Sequence, residues 1–176
     1  MPLRVERPLA GGGWTVADAV IVERIWPYIE RSLDRLVTLA LELTEAERLA
    51  RPPVEGANSI ATLVGHTLAN AEENLLGTLI GNYIRYDRQA DFDSPLAGAV
   101  AIEARWGELR PRIERALEGL DNDAVLARRA HSRRGEVTGL DVLVVVARHA
   151  AEHLAQAELT RDWLRSEANG ASAPND

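Results

Sequence analysis

Apolar residues return every three or four positions along most of this chain, the period of an amphipathic helix with one buried face. From about Val16 to Leu43 the stripe is Ile25, Ile29, Leu33, Leu36, Val37, Ala40 and Leu41, and Pro27 must either bend this helix or sit in its first turn. Thr44 and Glu47 have capping-box spacing for a short helical turn, which Pro52, Pro53 and Gly56 end. A second long helix starts at Asn58 or Ser59, both good N-caps, and carries Ile60, Leu63, Val64, Thr67, Leu68, Ala71, Leu75 and Leu79 to a stop near Gly81. Ser94 followed by Pro95 predicts the start of a third, which reaches about Leu117 with a kink at Pro111. The fourth opens at Thr138, again with a capping-box partner at Asp141, and runs to about Arg165. Its stretch Val142 to Ala147 is uninterrupted apolar sequence, so this helix is expected in the middle of the molecule; its length argues against a strand. The pattern predicts an all-α fold, an antiparallel four-helix bundle over about residues 16–165 with one or two longer crossings.

There is no internal repeat and no low-complexity block, so residues 1–165 are read as a single domain and residues 166–176 as a flexible C-terminal tail. A chain of 176 residues can bury roughly 70% of its unfolded surface and needs no covalent staple. Cysteine is absent, which excludes disulfides, thiolate nucleophiles and zinc-thiolate or iron-sulfur sites. Lysine is absent as well, so every basic residue is Arg; a Walker A lysine and Schiff-base chemistry are excluded. The formal charge of -7 argues against a duplex nucleic acid partner. Met1 to Gly13 has no apolar stretch long enough for a signal peptide or a membrane span, so a cytoplasmic location and no membrane partner are expected.

The four histidines change the picture most. His66, His149 and His153 fall within helices on faces expected to point inward, while His131 lies in the connection before the fourth helix. On a helix, His149 and His153 are separated by ~40° of rotation and ~6 Å of rise, so both imidazoles can converge on one point. Two buried rings without an ion would each need a hydrogen-bond partner, whereas a divalent cation satisfies both lone pairs. His66 can add a third ligand from another helix. Three neutral ligands leave an open position for water or substrate, the arrangement of a catalytic site. A satisfied core or surface histidine pair is the competing reading of H-x-x-x-H, and the apolar neighbours Ala150, Ala151, Leu154 and Ala155 weigh against a surface pair.

Other metal motifs fit less well. His149 to His153 reads H-A-A-E-H, the letters of a peptidase signature, but little chain follows to supply the distant carboxylate such enzymes use. A di-iron carboxylate site needs Glu three residues before each His, and here Val146 and Ala150 stand there. A two-His, one-carboxylate iron site would take Glu72, Glu73 or Glu152 in place of His66.

The segment Asn58-Ser59-Ile60-Ala61-Thr62-Leu63-Val64-Gly65-His66, with His149-x-x-x-His153-x-x-Gln156, resembles the DinB/YfiT-like superfamily of metal-binding four-helix bundles. The resemblance covers about Val16 to Arg165. Many members carry Arg-Gly between the last His and Gln, where this chain has Leu154 and Ala155. It implies a site of His66, His149 and His153, commonly holding nickel or zinc, and homodimers formed through bundle faces. Characterised relatives include S-transferases that use mycothiol or bacillithiol and a thiol-dependent maleylpyruvate isomerase. Others have no known activity, and fold likeness does not choose among them.

An ion with three neutral ligands can lower the pKa of a water to about 7 or hold a small thiol as its thiolate. Without cysteine, sulfur chemistry requires a bound low-molecular-weight thiol. The expectation is a metal-dependent transferase or related isomerase acting on a small molecule; a metal-dependent hydrolase and a non-catalytic dimeric stress or interaction module are the alternatives. Glu152 is the candidate proton shuttle, against a surface carboxylate paired with Arg148. Gln156, Asn70 and Glu73 are candidate pocket residues. Arg128, Arg129, Arg133 and Arg134 read as a solvated loop that could also meet an anionic ligand. Tyr83, Tyr86 and Trp106 are candidate walls, although aromatic residues on such helices are usually core.

Overall fold

The computed structural model describes residues 20–82, 84 and 86–171. Four long helical elements carry the fold. The first, α1, is Ile21–Leu41, with Pro27 in its interior, and a short α2, Glu45–Leu49, follows. Next comes α3, Ile60–Ala71, which continues without a break into a π-helical segment, Glu72–Leu79. After α4, Arg88–Asp93, come α5, Ala99–Leu117, and a short α6, Asn122–Leu126. A hairpin of β1, Arg128–His131, and β2, Gly135–Thr138, then leads into α7, Gly139–Ala171. The strands are antiparallel, with Arg128 opposite Thr138 and His131 opposite Gly135.

The caps are those the sequence advertises. Thr44 and Glu47 form the reciprocal capping box of α2, and the Ser59 hydroxyl accepts from the Thr62 N–H at the start of α3. Thr138 accepts from the Asp141 N–H at 3.1 Å while Asp141 accepts from the Thr138 N–H at 2.8 Å, fixing the entry to α7.

Several expectations need correction. Ser94-Pro95 does not start α5: Gly98, in extended backbone, is its N-cap, and residues 95–98 belong to no helix or strand. The fourth helix does not stop at Arg165 but runs on to Ala171, into the stretch read as tail. The second helix is not α-helical throughout. Asn74 is fully buried and its Nδ2 donates to the Asn70 carbonyl at 2.8 Å, a side-chain intrusion into the backbone ladder just where the register widens. The arginine-rich connection before α7 is the β-hairpin. Val142, Leu143 and Val146 are buried as expected, but Val144 is 52% exposed, so α7 keeps one outward edge.

Helix direction follows from the contacts between ends. The Ile21 N–H, at the start of α1, donates to Asn122 Oδ1 at the start of α6, and α6 abuts the start of α7 through Val125. Farther along both helices, Arg35 of α1 pairs with Glu158 of α7. Thus α1 and α7 run parallel. Leu79, at the end of the π-helical segment, touches Gly139, so this second rod runs antiparallel to α7. Leu96, just before α5, packs on Gly65 near the start of α3, while Leu117 at the end of α5 reaches Val20 and Trp26 at the start of α1. The second and third rods are therefore parallel to each other and antiparallel to the other two. Two consecutive parallel rods need a connection that returns along the bundle. The described residues between 80 and 98 belong to that return, and α4 lies against α3 within it.

The core is one cluster, with Ile29, Leu33 and Leu36 of α1, Ile60, Leu63, Val64 and Leu68 of α3, Ile102, Leu109 and Ile113 of α5, and Val142, Leu143 and Val146 of α7. Buried Arg48 forms no ion pair within 4.0 Å among the described residues; it donates to the carbonyls of Ala40 (2.9 Å), Leu43 and Ala97 (2.5 Å), tying the end of α1 to the entry of α5. No helix among the described residues is long and apolar enough to cross a membrane.

Candidate metal centre

His66 stands on the second turn of α3 because Ser59 starts that helix, and Gly65 before it leaves room for Leu96, whose Cβ would lie 3.2 Å from any Cβ added there. His149 and His153 project from the same side of α7. The three rings meet: centroids are 5.0 Å apart for His66 and His149, 5.3 Å for His66 and His153, and 4.3 Å for His149 and His153, each pair edge to face. One nitrogen from each ring lies within 4.8 Å of the others.

The hydrogen bonds assign the tautomers. His66 Nδ1–H is shared between the Tyr86 hydroxyl oxygen at 2.9 Å and Asp91 Oδ2 at 3.2 Å, and Tyr86 donates its own proton to Asp91 Oδ2 at 2.9 Å. His153 Nδ1–H donates to Gln156 Oε1 at 2.9 Å. These bonds direct the Nε2 lone pairs of His66 and His153 toward the cluster. The Nε2 atoms of His149 and His153 are buried and have no hydrogen-bond partner among the described residues. Burial costs such an atom its water, so it requires a substitute ligand. Imidazole nitrogens suit zinc and nickel, and the donor set therefore fits a divalent ion of that class.

Burial favours the neutral form of His149 and His66. Burial, then the neighbouring His153 and His66, push the His149 pKa down to about 3, with Arg148 and Arg134 adding to the effect. Burial likewise lowers His66, although the hydrogen bond to Asp91 opposes it. Burial and Asp91 keep the Tyr86 phenol well above its ordinary value, so it remains a donor.

Above the rings opens a cavity of about 200 Å³, lined by Asn58, Thr62, Leu63, His66, Arg88, Phe92, His149 and His153. Phe92 lies 5.5 Å from the His66 ring. A larger cavity of about 540 Å³ lies beside it, lined by Glu73, Thr78, Asn82, Ser132 and Arg133 among others, and Tyr86 also forms part of its wall.

The other sequence candidates divide. Gln156 is exposed and does not line the smaller cavity, but its Oε1 accepts from His153 Nδ1 at 2.9 Å. Glu152 does not face the cluster: it is half exposed and paired with Arg148 at 2.6 Å, the bland alternative. Glu73 is drawn away from His66 to the hairpin, where Arg133 holds it at 2.5 Å, and it lines the larger cavity. Glu72 is engaged by Arg105 and Arg112, and among the described residues neither it nor Glu73 nor Glu152 groups with the histidines as a ligand. Asn70 is buried one turn beyond His66, with its Oδ1 unpartnered among the described residues, yet does not line the smaller cavity. His131 is a satisfied structural histidine: it accepts from the Arg133 N–H at 3.0 Å and donates to Asn74 Oδ1 at 3.2 Å. Trp106 is core and donates to Asp34 at 2.7 Å; Tyr83 lies outside the described residues. Arg129 is spent on the carbonyls of Leu79 and Ala124, and Arg128 on Glu136.

Sequence reasoning missed Arg88, Asp91 and Phe92. A signal existed: Asp87 is a good N-cap, and the three residues stand at i, i+3 and i+4, one face of a helix.

The model of the DinB superfamily matches residues 28–157, most of the chain and all three histidines. The protein belongs to the DinB superfamily. Among solved structures it is similar to the conserved protein of locus from Enterococcus faecalis, with a TM-score of 0.60 and 14% identity over 81% of this chain and 96% of that one, a likeness of fold. No curated protein matches the chain.

Proposed function

We propose that His66, His149 and His153 hold one divalent cation, nickel or zinc, and that the protein is a metal-dependent enzyme acting on a small molecule. The observation that carries this is the pair of buried, unpartnered Nε2 atoms of His149 and His153 beside His66, under a cavity open to a ligand. A bound ion supplies Lewis acidity, which makes a water or a thiol a nucleophile near neutral pH. The chain's own residues position and protect: Asp91 and Tyr86 fix the His66 tautomer, Gln156 fixes His153, and Phe92 limits water. Asn70 is a candidate for a polar contact deeper in the bundle.

The reaction we favour is S-transfer or a related isomerisation with a low-molecular-weight thiol of the mycothiol or bacillithiol type. A chain without cysteine must borrow its sulfur. Homodimer formation belongs to the same proposal, with exposed Tyr28, Val100 and Leu159 as apolar surface for it.

Metal analysis of untagged protein is the first test; no near-stoichiometric divalent ion, and no uptake when one is supplied, ends the reading. With metal present, a panel of mycothiol, bacillithiol and glutathione against an electrophile is expected to show thiol-dependent turnover. Turnover without thiol would instead identify a hydrolase, and binding without turnover an interaction module.

A further inference from the structure

The smaller cavity has a charged wall that the histidines do not explain. Arg88 lines it from α4, and its guanidinium carbon stands 4.8 Å from the centre of the Phe92 ring, which in turn faces His66. The acids of α4 are engaged elsewhere: Asp87 caps the helix, Asp93 accepts from Gln89, and Asp91 is held by Tyr86 and His66. No carboxylate pairs with Arg88 among the described residues. A cavity whose wall carries a planar guanidinium that pairs with no carboxylate among the described residues suits an anion.

We infer that Arg88 anchors the carboxylate of a small substrate or cosubstrate whose reacting atom lies over His66, His149 and His153. This rests on the proposed ion site and goes beyond it by naming the ligand class. The cavity's about 200 Å³ equals six or seven waters at roughly 30 Å³ each, enough for a short-chain acid or for the reactive end of a larger thiol. Phe92, held beneath the guanidinium, gives the ligand's carbon chain an apolar side.

The test uses the full chain loaded with cobalt(II), whose visible absorption reports ligands, titrated with 3-mercaptopropionate and with its methyl ester. The wild type is expected to bind the acid at least ten-fold more tightly than the ester. Arg88→Gln should bring that ratio close to one while leaving the ester's affinity unchanged, and Arg88→Lys should retain part of the preference. Equal affinities in the wild type, or a preference preserved in Arg88→Gln, would overturn the assignment. So would an equal loss in Arg134→Gln, which would indicate a diffuse field in place of an anchor. Absence of any cobalt spectrum would sink the ion reading itself, a failure distinct from cobalt bound without discrimination.

Discussion

Each imidazole in the cluster has one nitrogen to spend, and the value of the site depends on which one is left over. His66 gives its Nδ1 proton to Tyr86 and Asp91, and His153 gives its own to Gln156. Asp91→Asn keeps an acceptor but removes the charge, and Tyr86→Phe removes the acceptor nearest to Nδ1. Each is expected to weaken metal binding by about 10- to 100-fold, measured by competition with a chromophoric chelator. The metal-free protein should also be sensitive to acid. His149 titrates at about 3 when folded, against near 6.5 when unfolded, so between these values the unfolded chain holds the additional proton. Stability should fall as pH is lowered through that window, by at most about 1.4 kcal/mol per unit for this one group, and urea melts between pH 7 and pH 4 would read it. A flat profile, or His149→Ala showing the same slope, would contradict the assignment. The histidines were visible in the sequence because an i, i+4 pair on an apolar helix points both rings one way. Glu73 and Glu152 misled because helical spacing gives a face but not the arginine that captures the carboxylate.

At the scale of elements, the site is made by two rods and completed by the strap that crosses them. The rods follow from periodicity and caps, and Ser59, Thr44 and Thr138 all act where their spacing predicts. The strap, residues 80–98, has no long apolar period of its own; its short helix exists because Asp87 caps it and the flank of α3 receives it. The hairpin is a similar case: four residues per strand are too few to show an alternation against the surrounding arginines. Gly139 binds these parts together. A Cβ there would lie 2.5 Å from Leu79 Cδ1 and 2.7 Å from the Val125 carbonyl oxygen, so α7 can start only where the π-helical segment and α6 leave room for a bare backbone. Gly139→Ala should therefore destabilise the fold by about 1–3 kcal/mol in urea unfolding, although alanine is the better helix former. A neutral or stabilising result would mean that this junction is looser than the contacts require.

For the molecule as a whole, an ion held by His66, His149 and His153 would couple the second and fourth rods, and its binding should appear as global stability. Zinc or nickel at about 100 times its dissociation constant is expected to add about 2.7 kcal/mol, seen as a rise in Tm that a chelator reverses and His149→Ala abolishes. An unchanged Tm in wild-type protein shown to contain metal would place the ion elsewhere. The sequence by itself determined the helical class, the capped starts of α2, α3 and α7 and the three histidines, because these depend on period, capping and spacing within one helix, all local along the chain. Only the tertiary structure decided that the second and third rods run parallel, that their return strap brings Asp91, Tyr86, Arg88 and Phe92 to His66, and which carboxylates arginines draw off. Those outcomes depend on contacts between residues far apart in the chain, whose partners are set by how the rods pack together and not by any period within them.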